Sequence, residues 1–240
     1  MQASDRIILA LDVGTEDDAL KLVRQLTGHV GAFKVGMELL TATGSNIVRQ
    51  IQDLGSNVFV DLKYHDIPNT AAGAARVLAR LGCFMFTVHA SGGGAMMQAV
   101  ADAVRIEASE AGKMPPITLA VTVLTSIDQQ QLETDLMIPG MSVGEVALKF
   151  ARTAQRAGID GVICSPHEIE AIRAAFGPEF KIVTPGIRPA WFGADDQRRI
   201  MTPSQAVKLG ADYIVIGRPI TASPDPAAAA RAIADEIAEV

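Results

Sequence analysis

Apolar and polar positions divide the chain into two kinds of segment that alternate. Short apolar runs rich in β-branched residues are each followed by a longer segment of helical spacing, and this happens eight times. The apolar runs predict strands over residues 6–13, 32–37, 57–64, 84–90, 117–124, 161–166, 181–187 and 213–219. The other segments predict helices near residues 16–27, 43–54, 70–80, 94–110, 143–157, 168–176, 203–209 and 225–239.

Nearly continuous apolar strands that each precede a helix are typical of a parallel sheet covered by helices, because parallel connections need long crossovers. Eight such units in about 250 residues predict a closed (β/α)8 TIM barrel. We expect a single domain over residues 1–240. An open doubly wound sheet is the alternative, but it usually has fewer strands and a glycine-rich first turn that "DVGTED" does not reproduce. Two long loops, over residues 125–142 and 188–203, are of the length typical of lids.

Composition narrows the classes of function. A formal net charge of −6 argues against general nucleic-acid binding, so a few placed cations must hold any anionic ligand. No apolar run approaches the roughly 18 to 20 residues that cross a bilayer, and the first residues lack the features of a signal peptide. We therefore expect a cytoplasmic protein without a membrane partner. Cys83 and Cys164 lie in apolar segments without metal-ligand spacing, which predicts free thiols in the core.

Polar side chains collect where the predicted strands end. In a barrel of this kind the carboxyl ends of the strands form the active face. Any one of these residues alone is more simply explained as a capping or solvated side chain, but together they predict a binding site. They are Asp12, Lys34, Asp61, Lys63, His89, Thr125, Ser126, Arg188, Gly217 and Arg218.

The third predicted strand carries the most concentrated charge, in the segment "NVFVDLKYHDIPNT". Strand alternation places Phe59, Asp61 and Lys63 on one face, so an acid and a base point together toward the barrel mouth. Asp66 comes after the strand, and Pro68 biases the chain there away from helix. Periodicity therefore leaves the direction of Asp66 open.

These segments resemble the orotidine 5'-phosphate decarboxylase family. "DLKYHDIPNT" is similar to its Asp-x-Lys-x-x-Asp signature, and "LALDV", "FKVG", "VTVLTS", "TPGIRP" and "IGRPI" resemble other family segments in the same order, over about residues 6 to 220. The signature alone is shared with sugar-phosphate decarboxylases of the same superfamily. The ordered set is much more specific.

The resemblance implies a reaction and an assembly. The reaction removes CO₂ from orotidine 5'-phosphate to give uridine 5'-phosphate (UMP), the last step of de novo pyrimidine-nucleotide synthesis, without metal or cofactor, in a homodimer. Lys34, Asp61, Lys63 and Asp66 would form an alternating array, with Asp66, Ile67 and Thr70 reaching into the partner's site. Substrate binding is expected from Asp12, Lys34, Asp61, Ile67, Thr70, Thr125, Arg188, Gln197, Gly217 and Arg218. The residues expected to bind the phosphate are Arg188, Gln197, Gly217 and Arg218. Thr125 or Ser126 would contact the pyrimidine edge.

Lys63 is the residue that such a reaction needs most. Loss of CO₂ leaves an electron pair on a ring carbon with little delocalisation, so electrostatics must lower the barrier. At about 4 Å and an effective dielectric constant near 20, each neighbouring carboxylate stabilises an ammonium by about 4 kcal/mol. Lys63 would have two neighbouring carboxylates and one neighbouring ammonium, and this net attraction outweighs the cost of burying its charge. Lys63 is therefore predicted to be a cation that stabilises the carbanion and then protonates it.

Three other functions remain open. A magnesium-dependent sugar-phosphate decarboxylase or epimerase would use Asp61 and Asp66 as metal ligands. An aldolase would use a neutral Lys63 as a Schiff-base nucleophile, which two flanking acids oppose. A barrel that only binds nucleotide would not need alternating charges. His65 and His89 have no partner at metal-ligand spacing, which predicts supporting or structural roles.

Overall fold

Eight parallel strands close into a barrel within residues 1–192 and 201–240, which the computed structural model describes. The strands are β1 (Ile7–Ala10), β2 (Ala32–Gly36), β3 (Val58–Tyr64), β4 (Met85–His89), β5 (Ile117–Val121), β6 (Gly161–Ile163), β7 (Lys181–Thr184) and β8 (Tyr213–Ile216). Each strand pairs with the next along the chain, and β8 pairs with β1. The predicted (β/α)8 TIM barrel is confirmed.

Helices follow the strands. In the described ranges they are α1 (Glu16–Leu26), α2 (Met37–Thr43), α3 (Asn46–Asp53), α4 (Pro68–Leu81), α5 (Gly93–Glu110), α6 (Gln129–Thr134), α7 (Val143–Arg156), α8 (Ile169–Phe176), α9 (Pro203–Lys208), α10 (Arg218–Thr221) and α11 (Pro226–Ala238). Short 3-10 turns cover Ser4–Arg6, Ala90–Gly92 and Pro166–Glu168. None of the helices in this part of the chain is long and apolar enough to cross a membrane.

Two predicted helical boundaries were wrong. The single helix predicted over residues 43–54 is two helices, α2 and α3, because Gly44 adopts a left-handed backbone with φ of 71° and ends the first. The long segment after β5, predicted as a loop, contains α6. That helix begins at a capping box in which Asp128 accepts from the Gln131 backbone and the Gln131 side chain accepts from the Asp128 backbone.

Seven of the eight strands end earlier than predicted, and two of these ends change the place of predicted site residues. β1 ends at Ala10 and β8 at Ile216, so Asp12 lies beyond its strand and Gly217 is the residue that precedes α10. Arg218, expected at the close of the last strand, is the first residue of α10. The apolar pattern continued into the turns, where side chains still pack against the core without pairing as strands.

Strand side chains alternate between the barrel interior and the layer of helices. Phe59 packs inside the barrel with Ile8 and Met85, whereas Val58 and Val60 pack between the strands and the helices. Burying an apolar side chain of this size stabilises the fold by about 1.5–3 kcal/mol. Phe59 also lines the cavity at the barrel mouth, so the interior core forms part of its floor.

Both cysteines are free and buried, as predicted. Burial raises the pKa of the Cys83 thiol to about 12, and burial likewise raises the pKa of Cys164 well above its ordinary value. Both thiols are therefore protonated, unreactive parts of the core at neutral pH.

The close approach of β6 to β7 leads to a prediction on stability. A Cβ added at Gly161 would overlap the backbone carbonyl of Lys181, and no side-chain rotation relieves that overlap. Gly161→Ala should lower the free energy of unfolding by about 1–3 kcal/mol, seen as a lower urea midpoint at unchanged slope. Gly144→Ala in α7 is the matched control, because nothing lies within 4 Å of the added carbon. Equal losses in both variants would contradict the steric explanation.

Candidate active site

A cavity of about 370 Å³ opens at the carboxyl ends of the strands. Most of the residues predicted for the site line it, and they come from segments far apart in sequence. They are Asp12, Lys34, Asp61, Lys63, Thr125, Arg188, Gly217 and Arg218. Apolar residues such as Phe59, Val121 and Val215 form the rest of its wall, so the charged groups stand beside a low-dielectric floor.

Lys34 lies between two carboxylates. Its Nζ is 3.3 Å from Oδ1 of Asp12 and 3.8 Å from Oδ2 of Asp61, and its side chain is only 12% exposed. The pairing of β1 with β2 places Ala10 opposite Lys34, which brings the turn after β1 beside the lysine. Asp12 is 67% exposed, so it can still accept hydrogen bonds from a ligand in the cavity.

Lys63 and Asp61 form a close ion pair in the cavity. Nζ of Lys63 donates to both carboxylate oxygens of Asp61 at 3.0 Å. Asp61 is 13% exposed and also faces Lys34, so one carboxylate stands between two ammonium groups. Three of the four residues of the predicted charge array therefore meet within one chain.

A bulge in β3 sets the position of Lys63. Val60 pairs with Phe86, and Tyr64 pairs with Val88. Between these two pairs β3 advances by four residues while β4 advances by two, so β3 contains two extra residues. Lys63 has a φ of 52°, in the left-handed region that residues with side chains rarely adopt.

Thr87 on β4 fills the gap that this bulge leaves. Its buried hydroxyl accepts from the backbone N–H of Lys63 and donates to Oδ1 of Asp61, both at 2.9 Å. Sequence reasoning missed Thr87, because a threonine inside a predicted strand is an ordinary strand residue. Thr87 contacts the site residues only because of the bulge, and the alternation of apolar and polar residues along β3 does not predict that bulge.

Asp66, Ile67 and Thr70 lie outside the cavity and are exposed. Asp66 accepts a hydrogen bond from the backbone N–H of Ile67 at 2.7 Å, just before α4 begins. Ile67 is 67% exposed. Within one chain the fourth member of the predicted array is therefore not joined to the other three.

Two arginines also line the cavity. Gly217 and Arg218 lie at the junction of β8 and α10, and Arg188 follows β7. Arg188 as a whole residue is 6% exposed, and its guanidinium carbon lies 5.8 Å from the centre of the Phe192 ring. Gln197, predicted to join them, lies outside the described residues.

The two histidines of the predicted mouth stack on each other. The rings of His65 and His89 are 5.5 Å apart and nearly parallel, and Nδ1 of His89 lies 2.6 Å from Oγ of Ser91. Burial lowers the pKa of His89, and nearby His65 and Lys63 lower it further. His89 borders a separate apolar cavity of about 210 Å³ rather than the charged one, which supports a structural role. In the described part of the chain, no group of three or more His, Cys, Asp or Glu side chains is arranged to hold a metal ion.

A parallel (β/α)8 barrel whose mouth carries paired ammonium and carboxylate groups together with arginines is typical of an enzyme that acts on an anionic substrate. The particular family follows from comparison with known proteins. The chain belongs to the family described as Orotidine 5'-phosphate decarboxylase / HUMPS family, whose model matches residues 5–233. The resemblance seen in the motifs is confirmed.

Full-length relatives agree with this assignment. The orotidine 5'-phosphate decarboxylase of Syntrophomonas wolfei is 57% identical over 239 residues, which is 100% of both chains. That of Moorella thermoacetica is 56% identical over 99% of this chain and 94% of its own. The crystal structure of the Lactobacillus acidophilus protein of the same name is 40% identical, with a TM-score of 0.86 over 96% of this chain and 98% of that one.

The half-buried His89 leads to a prediction on pH dependence. Because its pKa in the folded protein lies below the ordinary value of 6.5, the unfolded chain binds a proton that the folded chain does not. The free energy of unfolding should therefore fall as pH drops below about 6.5, by at most about 1.4 kcal/mol per pH unit for one proton. His89→Asn should remove that part of the slope in urea unfolding measured from pH 7.5 to 5. His167→Asn, at an exposed histidine, is the control, and an equal slope in wild type and His89→Asn would contradict the prediction.

Proposed function

We propose that the charged cavity decarboxylates orotidine 5'-phosphate to UMP and CO₂, with Lys63 as the group that stabilises and protonates the ring carbon. The reaction is that of the family and of relatives 46–57% identical over nearly the whole chain, and it is the last step of UMP biosynthesis. A sugar-phosphate decarboxylase is not favoured, because these relatives are all named orotidine 5'-phosphate decarboxylase. The observation that carries the residue assignment is the double contact of Lys63 Nζ with Asp61 inside the cavity.

Decarboxylation of orotidine 5'-phosphate requires a fixed positive charge beside C6 of the pyrimidine. When the bond from C6 to the carboxylate breaks, CO₂ leaves and the electron pair stays on C6. An ammonium already held in place stabilises that pair without reorganising, and it then transfers a proton from Nζ to C6. Asp61 holds Lys63 in that position from both of its oxygens. The neutral amine formed afterwards regains its proton from solvent.

Lys34 and Asp12 are proposed to bind the ribose. The ammonium of Lys34 lies between Asp12 and Asp61, so it links the ribose side of the cavity to the reacting side. The largely exposed carboxylate of Asp12 is suited to accept from sugar hydroxyls. Thr125, which lines the cavity wall after β5, is proposed to contact the pyrimidine edge.

The phosphate is proposed to bind at the β7 and β8 side, where Arg188 and Arg218 line the cavity. A guanidinium donates two parallel hydrogen bonds to phosphate oxygens, and backbone N–H groups after Gly217 add to them. A Cβ at Gly217 would make only ordinary contacts, 3.5 Å from Ala10 and 3.8 Å from Asp12. The glycine leaves room beside it for the proposed phosphate. Gln197 is proposed to join from the segment that lies outside the described residues.

We further propose a homodimer in which Asp66, Ile67 and Thr70 complete the site of the partner subunit. Among residues 1–192 and 201–240 of one chain, Asp61 is the carboxylate paired with the Lys63 ammonium, and the proposed array needs a second. Asp66 and Ile67 are exposed on the same face of the barrel as the cavity but outside it, where another chain can reach them. Burying Ile67 at such an interface would remove an exposed apolar side chain from water.

Two broader assignments complete the proposal. A single barrel domain is supported by the family match over residues 5–233. A cytoplasmic location is supported by the two unpaired, buried cysteines, which need no oxidising compartment.

The assignment of Lys63 predicts a large loss of activity on its removal. Purified wild type in excess EDTA should consume the ultraviolet absorbance of orotidine 5'-phosphate, and Lys63→Ala should do so at least about 10³-fold more slowly, because a preorganised charge is lost. Lys21→Ala, at an exposed lysine of α1, is the control and should match wild type. Activity that disappears in EDTA and returns with Mg²⁺ would favour the metal-dependent alternative instead.

The shared site predicts recovery of activity in mixed dimers. Lys63→Ala and Asp66→Ala chains, each inactive alone, would form hybrids with one native site in two, so random mixing should restore about a quarter of wild-type sites. Mixing Lys63→Ala with a chain that carries both substitutions is the control, because no pairing there contains a native site. Absence of recovery after subunit exchange has been demonstrated by mass would contradict the shared site.

A further inference from the structure

We propose that Thr87 is a positioning residue for this reaction, whose hydroxyl fixes the β3 bulge and with it the geometry of the Lys63–Asp61 pair. This inference rests on the roles proposed above for Lys63 and Asp61. Thr87 is not among the residues that line the charged cavity, so it acts through its two neighbours and not on the substrate.

The two hydrogen bonds of the Thr87 hydroxyl fix the direction of its proton. A hydroxyl has a single proton, and the backbone N–H of Lys63 can only donate. The proton of Thr87 is therefore directed at Oδ1 of Asp61, while its oxygen accepts from Lys63, each at 2.9 Å. One buried side chain thus joins the backbone of the lysine to the side chain of the aspartate.

The backbone of β4 does not provide this link. In a regular parallel ladder the N–H of Lys63 would donate to a carbonyl of the neighbouring strand. The two extra residues of β3 between the Val60 and Tyr64 pairs break that register, and the left-handed backbone of Lys63 accompanies the break. The Thr87 oxygen takes the place of the missing carbonyl. Without it the N–H would be buried without a partner, which is unfavourable.

The carboxylate of Asp61 is oriented by the same hydroxyl. Oδ1 accepts from Thr87 and Lys63, while Oδ2 faces Lys63 and, at 3.8 Å, Lys34. The two ammonium groups pull on the carboxylate from flexible side chains, whereas Thr87 holds it from a rigid strand. Loss of the hydroxyl would let the carboxylate rotate and carry Lys63 away from the position proposed for C6.

This role predicts a loss in kcat that leaves product affinity unchanged. Thr87→Val keeps the shape of the side chain but removes the donor and the acceptor, and it should lower kcat about 10- to 100-fold, as expected for a hydrogen bond to a charged group. Thr87→Ser keeps both functions and should stay within about threefold of wild type. The dissociation constant of UMP, measured by calorimetry, should change less than about twofold in each variant, because the binding groups remain in place.

A second threonine provides a matched control. Thr118 in β5 is also buried, donates to Oδ2 of Asp160 at 2.7 Å and accepts from the backbone N–H of Asp160 at 3.3 Å, but at the amino ends of the strands. Thr118→Val should lose stability in the same way as Thr87→Val and keep wild-type kcat per folded molecule. If Thr87→Val does not fold, kcat of Thr87→Cys can be compared with kcat of Thr87→Ser instead, because a cysteine thiol is a weaker hydrogen-bond donor than a serine hydroxyl.

The outcomes separate this inference from the function on which it rests. Wild-type kcat in Thr87→Val, or equal losses per folded molecule in the Thr87→Val and Thr118→Val variants, would overturn the positioning role while wild type and Lys63→Ala still differ. Failure of wild type itself to turn over orotidine 5'-phosphate would instead overturn the proposed function. A selective loss in Thr87→Val that Thr87→Ser restores would support the inference.

Discussion

The site depends on one carboxylate, that of Asp61, which accepts hydrogen bonds from an ammonium at each of its oxygens and from a buried hydroxyl. Charges taken out of water are costly unless they are paired and hydrogen-bonded, and Asp61 meets that condition from three directions. Lys63 is held by the same contacts, since its side chain bonds to Asp61 and its backbone bonds to the hydroxyl of Thr87. The rest of the barrel supplies the two strands that bring these groups together.

The fold tolerates local strain at this position because the surrounding strands are well packed. Lys63 has a left-handed φ of 52°, which costs of order 1–3 kcal/mol for a residue with a side chain. Phe59, Val58 and Val60 in the same strand are almost completely buried, and each contributes stabilisation of that order or more. The strained and charged residues thus follow the most deeply buried part of β3. Strain and charge at the end of a buried strand are typical of sites where geometry serves function rather than stability.

The sequence predicted the barrel because alternation of apolar strands and amphipathic helices is a property of local segments repeated along the chain. It also predicted most cavity residues, since the carboxyl ends of parallel strands must meet at one face. It failed where a single backbone angle decides the outcome: Gly44 divides a helix, and the bulge at Lys63 recruits Thr87. Nor did periodicity give the direction of Asp66, because the residue lies beyond the strand and its proposed contact is with another chain. Contacts that depend on tertiary register or on assembly leave no periodic signal in one sequence.

The balance of charge in the cavity supports the proposed separation of phosphate binding, at Arg188 and Arg218, from chemistry at Lys63. Lys34 and Lys63 are matched by Asp12 and Asp61 in the cavity, and an added Asp66 of the partner subunit would leave these five groups together with one excess negative charge. Such a set would not attract the carboxylate of the substrate. In the proposed binding mode a phosphate, with a charge near −2 at neutral pH, is attracted instead to Arg188 and Arg218, which line the same cavity. Binding energy from this unreactive group would then hold the carboxylate beside Asp61. The ammonium of Lys63 would gain its full electrostatic advantage only when CO₂ departs and negative charge collects on the carbon. On this proposal an acidic chain binds an anion and still favours the transition state over the bound substrate.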